Sequence, residues 1–234
     1  MIKKILPVLL FLIIISQVKA QYKPVIFGLR VGTNLGWVKP DAEEYSSEGV
    51  VTGFTWGFIG EFFFMENYAI LTGFNMNFNG GKMEYPSIRE IAIDGSTVID
   101  TVQFHRKYNL KYIEIPLCLK MKTALSEKIT IFGKIGLGTS FRLSAKGTDN
   151  YTYDGVEVSE SKHNIDDEIA FMRESLIVGG GIELKIKGST AVILEITYDN
   201  AFNNMLTGDD PTLIKDPKPK AIHNFVELGA GIIF

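Results

Sequence analysis

The stretch that decides the fold is the last one, residues 223–234, which reads H-N-F-V-E-L-G-A-G-I-I-F. Apolar residues occupy every second position from Val226 to Phe234, while Glu227 and two glycines occupy positions between them. The apolar exceptions on this second face are Phe225 and Ile233. A period of two predicts a β-strand with one apolar face and one small or polar face.

Seven further stretches alternate in the same way, so the sequence predicts an all-β, eight-stranded antiparallel up-and-down transmembrane barrel. These stretches are residues 27–37, 54–65, 68–79, 112–121, 129–143, 175–186 and 190–198. The connections alternate long and short, as in bacterial outer-membrane barrels with long extracellular loops and short periplasmic turns. Both termini are then expected in the periplasm. Because lipid tolerates no open sheet edge, the last strand should pair with the first, and we expect Phe234 to act as the C-terminal signal for the barrel-assembly machinery.

The polarity of the two faces distinguishes a membrane barrel from a soluble one. A soluble lipocalin-like barrel would place its apolar parity inside and its polar parity outside. Here the second parity is rich in glycine, asparagine and charged residues, which makes it too small and narrow for a soluble surface. We therefore expect that parity to line a crowded lumen and the large aliphatic and aromatic residues to face outer-membrane lipid. The soluble eight-stranded barrel is the alternative.

The four long connections, residues 39–51, 80–107, 145–172 and 200–220, are interpreted as polar loops. In the second of them, residues 88–93 and 97–102 flank Asp94-Gly95, which predicts a small hairpin. Two of the loops carry acidic clusters that would bridge divalent cations to lipopolysaccharide or dock a partner, with solvated loop charge as the alternative. These clusters are Asp166, Asp167 and Glu168, and Asp209 and Asp210. Pro116 lies inside the fourth strand and lacks an N–H for the ladder, so it predicts a bulge.

The first residues predict a secretory signal peptide over residues 1–20, followed by a barrel domain over residues 21–234. Lys3 and Lys4 precede an apolar run over residues 5–15, and Ala20 provides the small residue at the expected cleavage site. An uncleaved N-terminal anchor is the alternative. The apolar run is shorter than the roughly 20 residues that a spanning helix needs.

Composition disfavours nucleic acid as a partner. The chain has 24 basic and 27 acidic residues, and loss of three lysines with the signal peptide leaves 21 against 27, a net charge of −6. The single cysteine, Cys118, excludes an internal disulfide framework, and its parity predicts a lumen filler. Aromatic residues near strand ends are interpreted as membrane anchors. They are Tyr22, Trp37, Tyr68, Tyr108 and Tyr198.

The inward parity collects ionisable residues of both signs, which predicts an ion-pair network in the lumen. The predicted members are Arg30, Glu61, Glu114, Lys120, Lys134, Arg142, Glu183, Lys185, Glu195, Asp199 and Glu227. The interior of an eight-stranded barrel is just wide enough for side chains to fill, and buried charges must pair. The network is therefore expected to plug the lumen. A proton or small-solute path is the alternative, whereas an open porin would need roughly 16 strands.

No nucleophile motif indicates an enzyme, and no zinc-ligand spacing or cofactor motif is present. The histidines are His105, His163 and His223. A hydrolase at the extracellular rim would use His105 and His223, with Asp209, Asp210 or Ser140 as partners. We treat this rim-active hydrolase as an alternative function.

The chain resembles the PorT-like outer-membrane β-barrel family of the Bacteroidota. The resemblance rests on K-Y-I-E-I-P-L at residues 111–117, followed by Leu119-Lys120, on G-K-I-G-L-G at residues 133–138, and on S-L-I-V-G-G-G at residues 175–181. It implies an eight-stranded outer-membrane barrel. Some members of that family act in type IX secretion and gliding, but a shared fold alone does not assign that role.

Taken together, these patterns predict a non-enzymatic outer-membrane barrel with a filled lumen. It would engage a partner or surface ligand through its loops or its periplasmic rim. The second hypothesis is that the protein is a component of the type IX secretion machinery, with secretion-system proteins as its partners. The third hypothesis is the rim-active hydrolase.

Overall fold

Nine antiparallel strands form one sheet in the computed structural model, which describes residues 25–42, 44–93, 96–153, 156–208 and 219–234. The strands are β1 Val25–Pro40, β2 Ser46–Met65, β3 Tyr68–Ile93, β4 Ser96–Ala124, β5 Ile129–Tyr153, β6 Val156–Asn164, β7 Met172–Lys187, β8 Thr190–Ala201 and β9 Ala221–Ile233. A short 3-10 helix covers Asp166–Glu168. None of the helical residues in these ranges forms a helix long and apolar enough to cross a bilayer. The predicted signal peptide lies outside the described residues.

Eight of these strands close into a ring. Each pairs with its neighbours in chain order, except that β5 pairs with β7 because β6 pairs only with the far half of β5. The ring is closed by β1 and β9, whose register runs from Gly28↔Ile233 to Pro40↔Ala221. The predicted eight-stranded antiparallel up-and-down barrel is therefore confirmed, and β6 is an additional strand outside the ring.

Three tight turns define one end of the barrel, at residues 66–67, 125–128 and 188–189. The first and last described residues, Val25 and Phe234, lie at this same end, where the backbone N–H of Phe234 donates to the carbonyl of Phe27 at 2.8 Å. We call it the short-turn end, and we call the opposite end, where β3 to β6 project furthest, the extended end.

A band of exposed apolar side chains surrounds the half of the barrel nearer the short-turn end. On β1 it consists of Phe27, Leu29, Val31 and Leu35, whereas the alternate residues Arg30 and Asn34 are buried. Exposed apolar surface on this scale is costly in water but is what a barrel wall in lipid requires. Phe234 itself is exposed at the edge of the band.

The loops predicted over residues 80–107 and 145–172 are wrong, because the strands continue through most of both segments. The parity of β3 and β4 is unbroken, but its polarity reverses beyond the apolar band. Met83, Tyr85 and Phe104 face inward and are fully buried, while Lys82 and His105 face outward. Because the outward residues of these segments are polar, their sequence lacks the apolar face expected of a strand in lipid, and the pattern predicts loops. The small hairpin predicted there is the tip of β3 and β4, and its turn residues 94–95 lie outside the described residues.

Pro116 does not form the predicted bulge. It pairs in regular register with Gly138 on β5. On its other side the β3–β4 ladder keeps one register from Leu71↔Cys118 to Asn75↔Glu114, without pairing between them. The missing N–H of proline is thus accommodated by a gap in the ladder rather than by an inserted residue.

We predict that Gly73→Ala destabilises the barrel by about 2 kcal/mol or more. Gly73 lies in this ladder gap with φ of +142°, and a Cβ there would collide with the carbonyl oxygen of Phe58. Gly133→Ala is the matched control, because its Cβ would meet only the Gly179 oxygen at 3.9 Å. The urea midpoints of both variants are measured in lipid vesicles. The folded fraction is monitored by the faster gel mobility of the unheated barrel. Equal midpoints for the two variants would contradict the prediction.

Candidate functional site

The lumen of the membrane half is filled by side chains from every strand of the ring. Nine of the eleven predicted lumen residues are buried there: Arg30, Glu61, Glu114, Lys120, Lys134, Glu183, Glu195, Asp199 and Glu227. Among these charged residues lies a small apolar cluster that includes Cys118 and Ile233. These positions share the inward parity because successive side chains of a strand alternate between its two faces.

Lys120 on β4 forms the ion-pair group that lies closest to the short-turn end. Its Nζ lies 2.6 Å from Oε1 of Glu61 on β2 and 2.6 Å from Oε1 of Glu183 on β7. The same ammonium lies 4.1 Å from the ring centroid of Phe132, which adds a cation–π contact. One cation thus links side chains from three strands across the lumen.

A second group lies on the inner side of β1. The guanidinium of Arg30 pairs with Glu227 on β9 and lies 2.8 Å from Oε1 of Glu195 on β8. The other carboxylate oxygen of Glu195 is 2.7 Å from the Lys134 ammonium. Arg30 also donates to the amide oxygen of Asn75 at 3.2 Å. This group connects the closing strands β1 and β9 to the far wall.

Glu114 is held by amides instead of a cation. Nδ2 of Asn75 donates to one of its carboxylate oxygens at 2.9 Å, and Nδ2 of Asn77 donates to the other at 3.1 Å. Hydrogen bonding of this kind satisfies a buried carboxylate that has no ion-pair partner. Two of the inward asparagines on β3, Asn75 and Asn77, therefore share a specific structural partner.

The sequence did not identify Arg173, which holds the third ion-pair group. Its guanidinium pairs with Asp199 and donates to the carbonyl of His223 at 2.9 Å. Oγ of Ser175 donates to the second oxygen of Asp199 at 3.1 Å. Arg173 shares the parity of Glu183, but the predicted strand began at Ser175. Extending that strand by two residues would have placed Arg173 in the lumen.

Two predicted lumen residues do not belong to the network. Lys185 is exposed, because it lies close to the turn at residues 188–189, where the lumen opens to solvent. Arg142 lies above the network and pairs with Asp166 at 2.6 Å. A register shift between β4 and β5 at Lys111/Tyr112, directly opposite Arg142, displaces this part of β5.

The remaining space in the lumen is small. A cavity of about 30 Å³ lies among Arg30, Glu61, Glu114, Lys120 and Glu195. That volume holds about one water molecule. In the part of the chain that the structure describes, side chains thus fill the membrane half of the lumen around a water-sized void.

A second core closes the extended end. It is apolar and aromatic, and we call it the upper core; its buried members are Val38, Tyr45, Met83, Tyr85, Phe104, Tyr108, Leu110, Tyr112, Ala145, Ile165, Ile169, Met205, Leu206 and Ala221. The rings of Tyr45 and Tyr85 stack with centroids 5.4 Å apart. Tyr108, interpreted from sequence as a membrane anchor, is fully buried here, because its parity points inward. Trp37 and Tyr198 do face outward and stack on each other.

Arg106 ties the upper core to the acidic loop. Its guanidinium forms two hydrogen bonds to Asp149, at 2.7 and 2.6 Å, and a third to Glu168 at 2.6 Å. Asp166 accepts from the backbone N–H of Ala145 at 2.6 Å. Burial opposes ionisation of Asp166, but that hydrogen bond and the Arg142 charge outweigh it, so its pKa is lowered. Two of the three clustered acids, Asp166 and Glu168, therefore form contacts within the fold and are not free to bind a divalent cation.

Asp149, Glu160 and His163 bring their ligand atoms within 4.8 Å of one another. Both carboxylate oxygens of Asp149 already accept hydrogen bonds from Arg106. Arg106 therefore already pairs with the negative charge that a metal ion would need at Asp149.

The described residues among those suggested for a rim hydrolase, His105, His223 and Ser140, are not brought together. His105 lies on the outer wall, with Nδ1 3.2 Å from Glu48. His223 is fully buried on the inner wall, with Nε2 3.0 Å from the Gly80 carbonyl oxygen. Ser140 is also buried. Residues 209–210 lie outside the described residues.

The family model for outer membrane protein beta-barrel domains matches residues 16–207. The chain belongs to this family. Membership agrees with the closed ring and the apolar band, and it supports a location in the outer membrane. Membership of this family does not test the more specific PorT-like assignment, which stays a prediction. A comparison with curated proteins gives no match.

Solved structures of small barrels are similar to this chain at low identity. Neisserial surface protein A has 12% identity and a TM-score of 0.43, over 88% of this chain and 95% of that one. The attachment invasion locus protein Ail of Yersinia pestis, solved with sucrose octasulfate, has 16% identity and a TM-score of 0.39, over 90% and 99%. The outer membrane protease OmpT of Escherichia coli has 10% identity and a TM-score of 0.41, over 93% and 99%.

We predict that Lys120→Met destabilises the folded barrel by about 3–5 kcal/mol, because Glu61 and Glu183 would remain buried without their shared cation. Lys185→Met makes the same chemical change at an exposed position and should alter stability by less than about 0.5 kcal/mol. Urea midpoints in lipid vesicles measure both. If Lys120→Met were as stable as the control, the charges of the lumen would have to be solvated.

Proposed function

We propose that this protein is a non-enzymatic, non-conducting outer-membrane barrel that recognises a partner or surface ligand through its extended end. The observation that carries the proposal is the double closure of the interior. Ion pairs fill the membrane half, and the aromatic upper core fills the part beyond it. Because the described side chains fill the interior, we look for function on the outer walls and at the ends.

The orientation in the membrane is part of the proposal. Bacterial barrels have short periplasmic turns and longer extracellular segments. The short-turn end, with both termini, would then lie in the periplasm, and the projecting strands β3 to β6 would lie outside the cell. Outer-membrane lipid would contact the apolar band, and Phe234, exposed beside the β1–β9 seam, is suited to recognition by the barrel-assembly machinery during insertion.

A role in type IX secretion is the second proposal, supported only by the PorT-like sequence at residues 111–117 and the glycine-rich strands. It would make secretion-system proteins the partners. Export of type IX cargo in a strain lacking this chain distinguishes the two, because a surface-ligand protein would leave export unchanged.

Planar-bilayer recordings test the closed interior. We expect the purified, refolded protein to insert without stepwise conductance, while an open porin in the same bilayer serves as the positive control. Regular unit steps from the unmodified protein, with folding verified on a gel, would contradict a plugged lumen and favour the solute path.

Cysteine labelling tests the orientation. We expect Glu157→Cys on β6 to react on intact cells with a polymer-linked maleimide that is too large to cross the outer membrane. Glu127→Cys, in the turn at residues 125–128, is the matched control and should react only after permeabilisation. Both positions are exposed, and the native Cys118 is buried, so it gives little background. The reverse pattern would mean that the extended end faces the periplasm.

A further inference from the structure

Five lysines lie together on the outer wall of β3 to β6, just beyond the apolar band. We call this group the lysine patch: Lys82, Lys107, Lys111, Lys146 and Lys162. Within it Lys82 pairs directly with Lys107 across the β3–β4 ladder, and Lys146 pairs with Asn109. Like charges directly opposite each other destabilise a sheet. A chain with more acidic than basic residues nevertheless concentrates its positive charge here.

The lysine patch has no internal counter-charge. Among the described residues, no carboxylate forms an ion pair with any of its five members, although twelve other ion pairs are present. Glu157 lines a groove together with Lys82 and Lys107 but forms no ion pair with either of them. Two other outward acids on the same wall have other partners. Glu84 accepts from Gln103 at 2.7 Å, and Glu48 lies 3.2 Å from His105.

The patch begins at the level where the apolar band ends. On β4 the outward residues change from Ile113 to Lys111, and the ammonium of Lys111 lies 5.5 Å from the ring centroid of Phe78. On β5 the last outward apolar residue is Leu143, and Lys146 follows. In a barrel this boundary lies at the height of the lipid headgroups.

A groove at this boundary combines an apolar floor with a cationic rim. Its volume is about 340 Å³. Its apolar residues include Val51, Phe54 and Phe78, and its cationic residues are Lys111, Lys146 and Lys162. The groove exists because β2 bulges between the pairs Val50↔Gly81 and Phe54↔Phe78, so that three residues of β2 oppose two of β3.

A second, polar groove continues the same wall away from the membrane. Its volume is about 390 Å³, and it shares the lysine patch through Lys82 and Lys107. Its other lining residues are Glu48, His105, Thr148, Asn150, Tyr151, Thr152 and Glu157. Amide, hydroxyl and aromatic groups of this kind suit the hydroxyls and faces of sugar rings. The wall therefore presents, in order from the membrane, an apolar floor, a cationic rim and a polar surface.

We propose that the lysine patch binds the phosphate groups of a phosphorylated glycolipid in the outer leaflet. Acyl chains would contact the apolar floor, phosphates would contact Lys111, Lys146 and Lys162, and the sugar portion would extend into the polar groove. This deepens the proposed function by naming the class of surface ligand, and it rests on the extended end facing outwards. Phosphate contacts on an exposed surface are ionic and weaken with salt.

Lipid binding to the purified full-length protein in neutral detergent tests the proposal. The probe is diphosphoryl lipid A, counted by native mass spectrometry. The variant Lys111→Gln/Lys146→Gln/Lys162→Gln should bind about a hundredfold more weakly than the unmodified protein. The matched control is Lys128→Gln/Lys185→Gln/Lys187→Gln at the short-turn end, which should bind normally. All six lysines are exposed, and gel mobility of unheated samples verifies that each variant folds.

Two further probes identify the source of the phosphate. Lipid A with its phosphates removed should bind the unmodified protein no better than diphosphoryl lipid A binds the patch variant. Inorganic phosphate at equal concentration should not displace the lipid. Equal binding by the patch variant, equal binding of the dephosphorylated lipid, or displacement by inorganic phosphate would each overturn the proposal. Because detergent imposes no orientation, failure here concerns the patch alone, whereas cysteine labelling and conductance test the proposed function.

Discussion

Pairing between β1 and β9 is the constraint on which the rest of the structure depends. Hydrocarbon offers no hydrogen-bond partners, so a sheet that spans it must leave no edge. Closure of eight strands by the register from Gly28↔Ile233 to Pro40↔Ala221 meets that requirement, and it fixes a narrow interior at the same time. Every inward side chain must then be small or matched to a partner across the lumen, which explains why Gly28 and Gly32 alternate with Arg30, the residue that binds acids on β8 and β9.

The narrow interior makes the charges mutually dependent. Four cations, Arg30, Lys120, Lys134 and Arg173, pair with five of the six acids in the described part of the lumen, so most of these cations hold two partners or share one. Glu114, which no cation reaches, takes hydrogen bonds from two amides instead. A buried pair of this kind is weak evidence for net stability, but removal of one partner leaves an uncompensated charge. The network therefore specifies one packing of the lumen and resists opening.

The sequence predicts the membrane half well because lipid enforces one rule there, apolar outside and small or polar inside. Strand existence, the order of the ring and nine inward ionisable residues follow from parity alone. Beyond the band water returns, and the same parity carries the opposite polarity, with Tyr85 and Phe104 inside and Lys82 and Lys107 outside. Because outward residues are polar there, the pattern expected for a strand in lipid is lost, and the segments 80–107 and 145–172 are interpreted as loops. Partner choice, such as Arg106 with Asp149, depends on register between distant strands, which one sequence does not reveal.

The height at which the polarity reverses also places the membrane boundary on the molecule. Asn77 and Asn79 inside the barrel give way to Met83 on β3, and Glu114 gives way to Tyr112 on β4, at the level where outward apolar residues give way to lysines. An ionic core thus lies within the lipid and an apolar core lies outside it. A passage through the barrel would have to break both, and the two are linked by the continuous strands β3, β4 and β5. Selection for recognition can then act on the outer wall without disturbing either core, because alternate residues of the same strands face opposite sides.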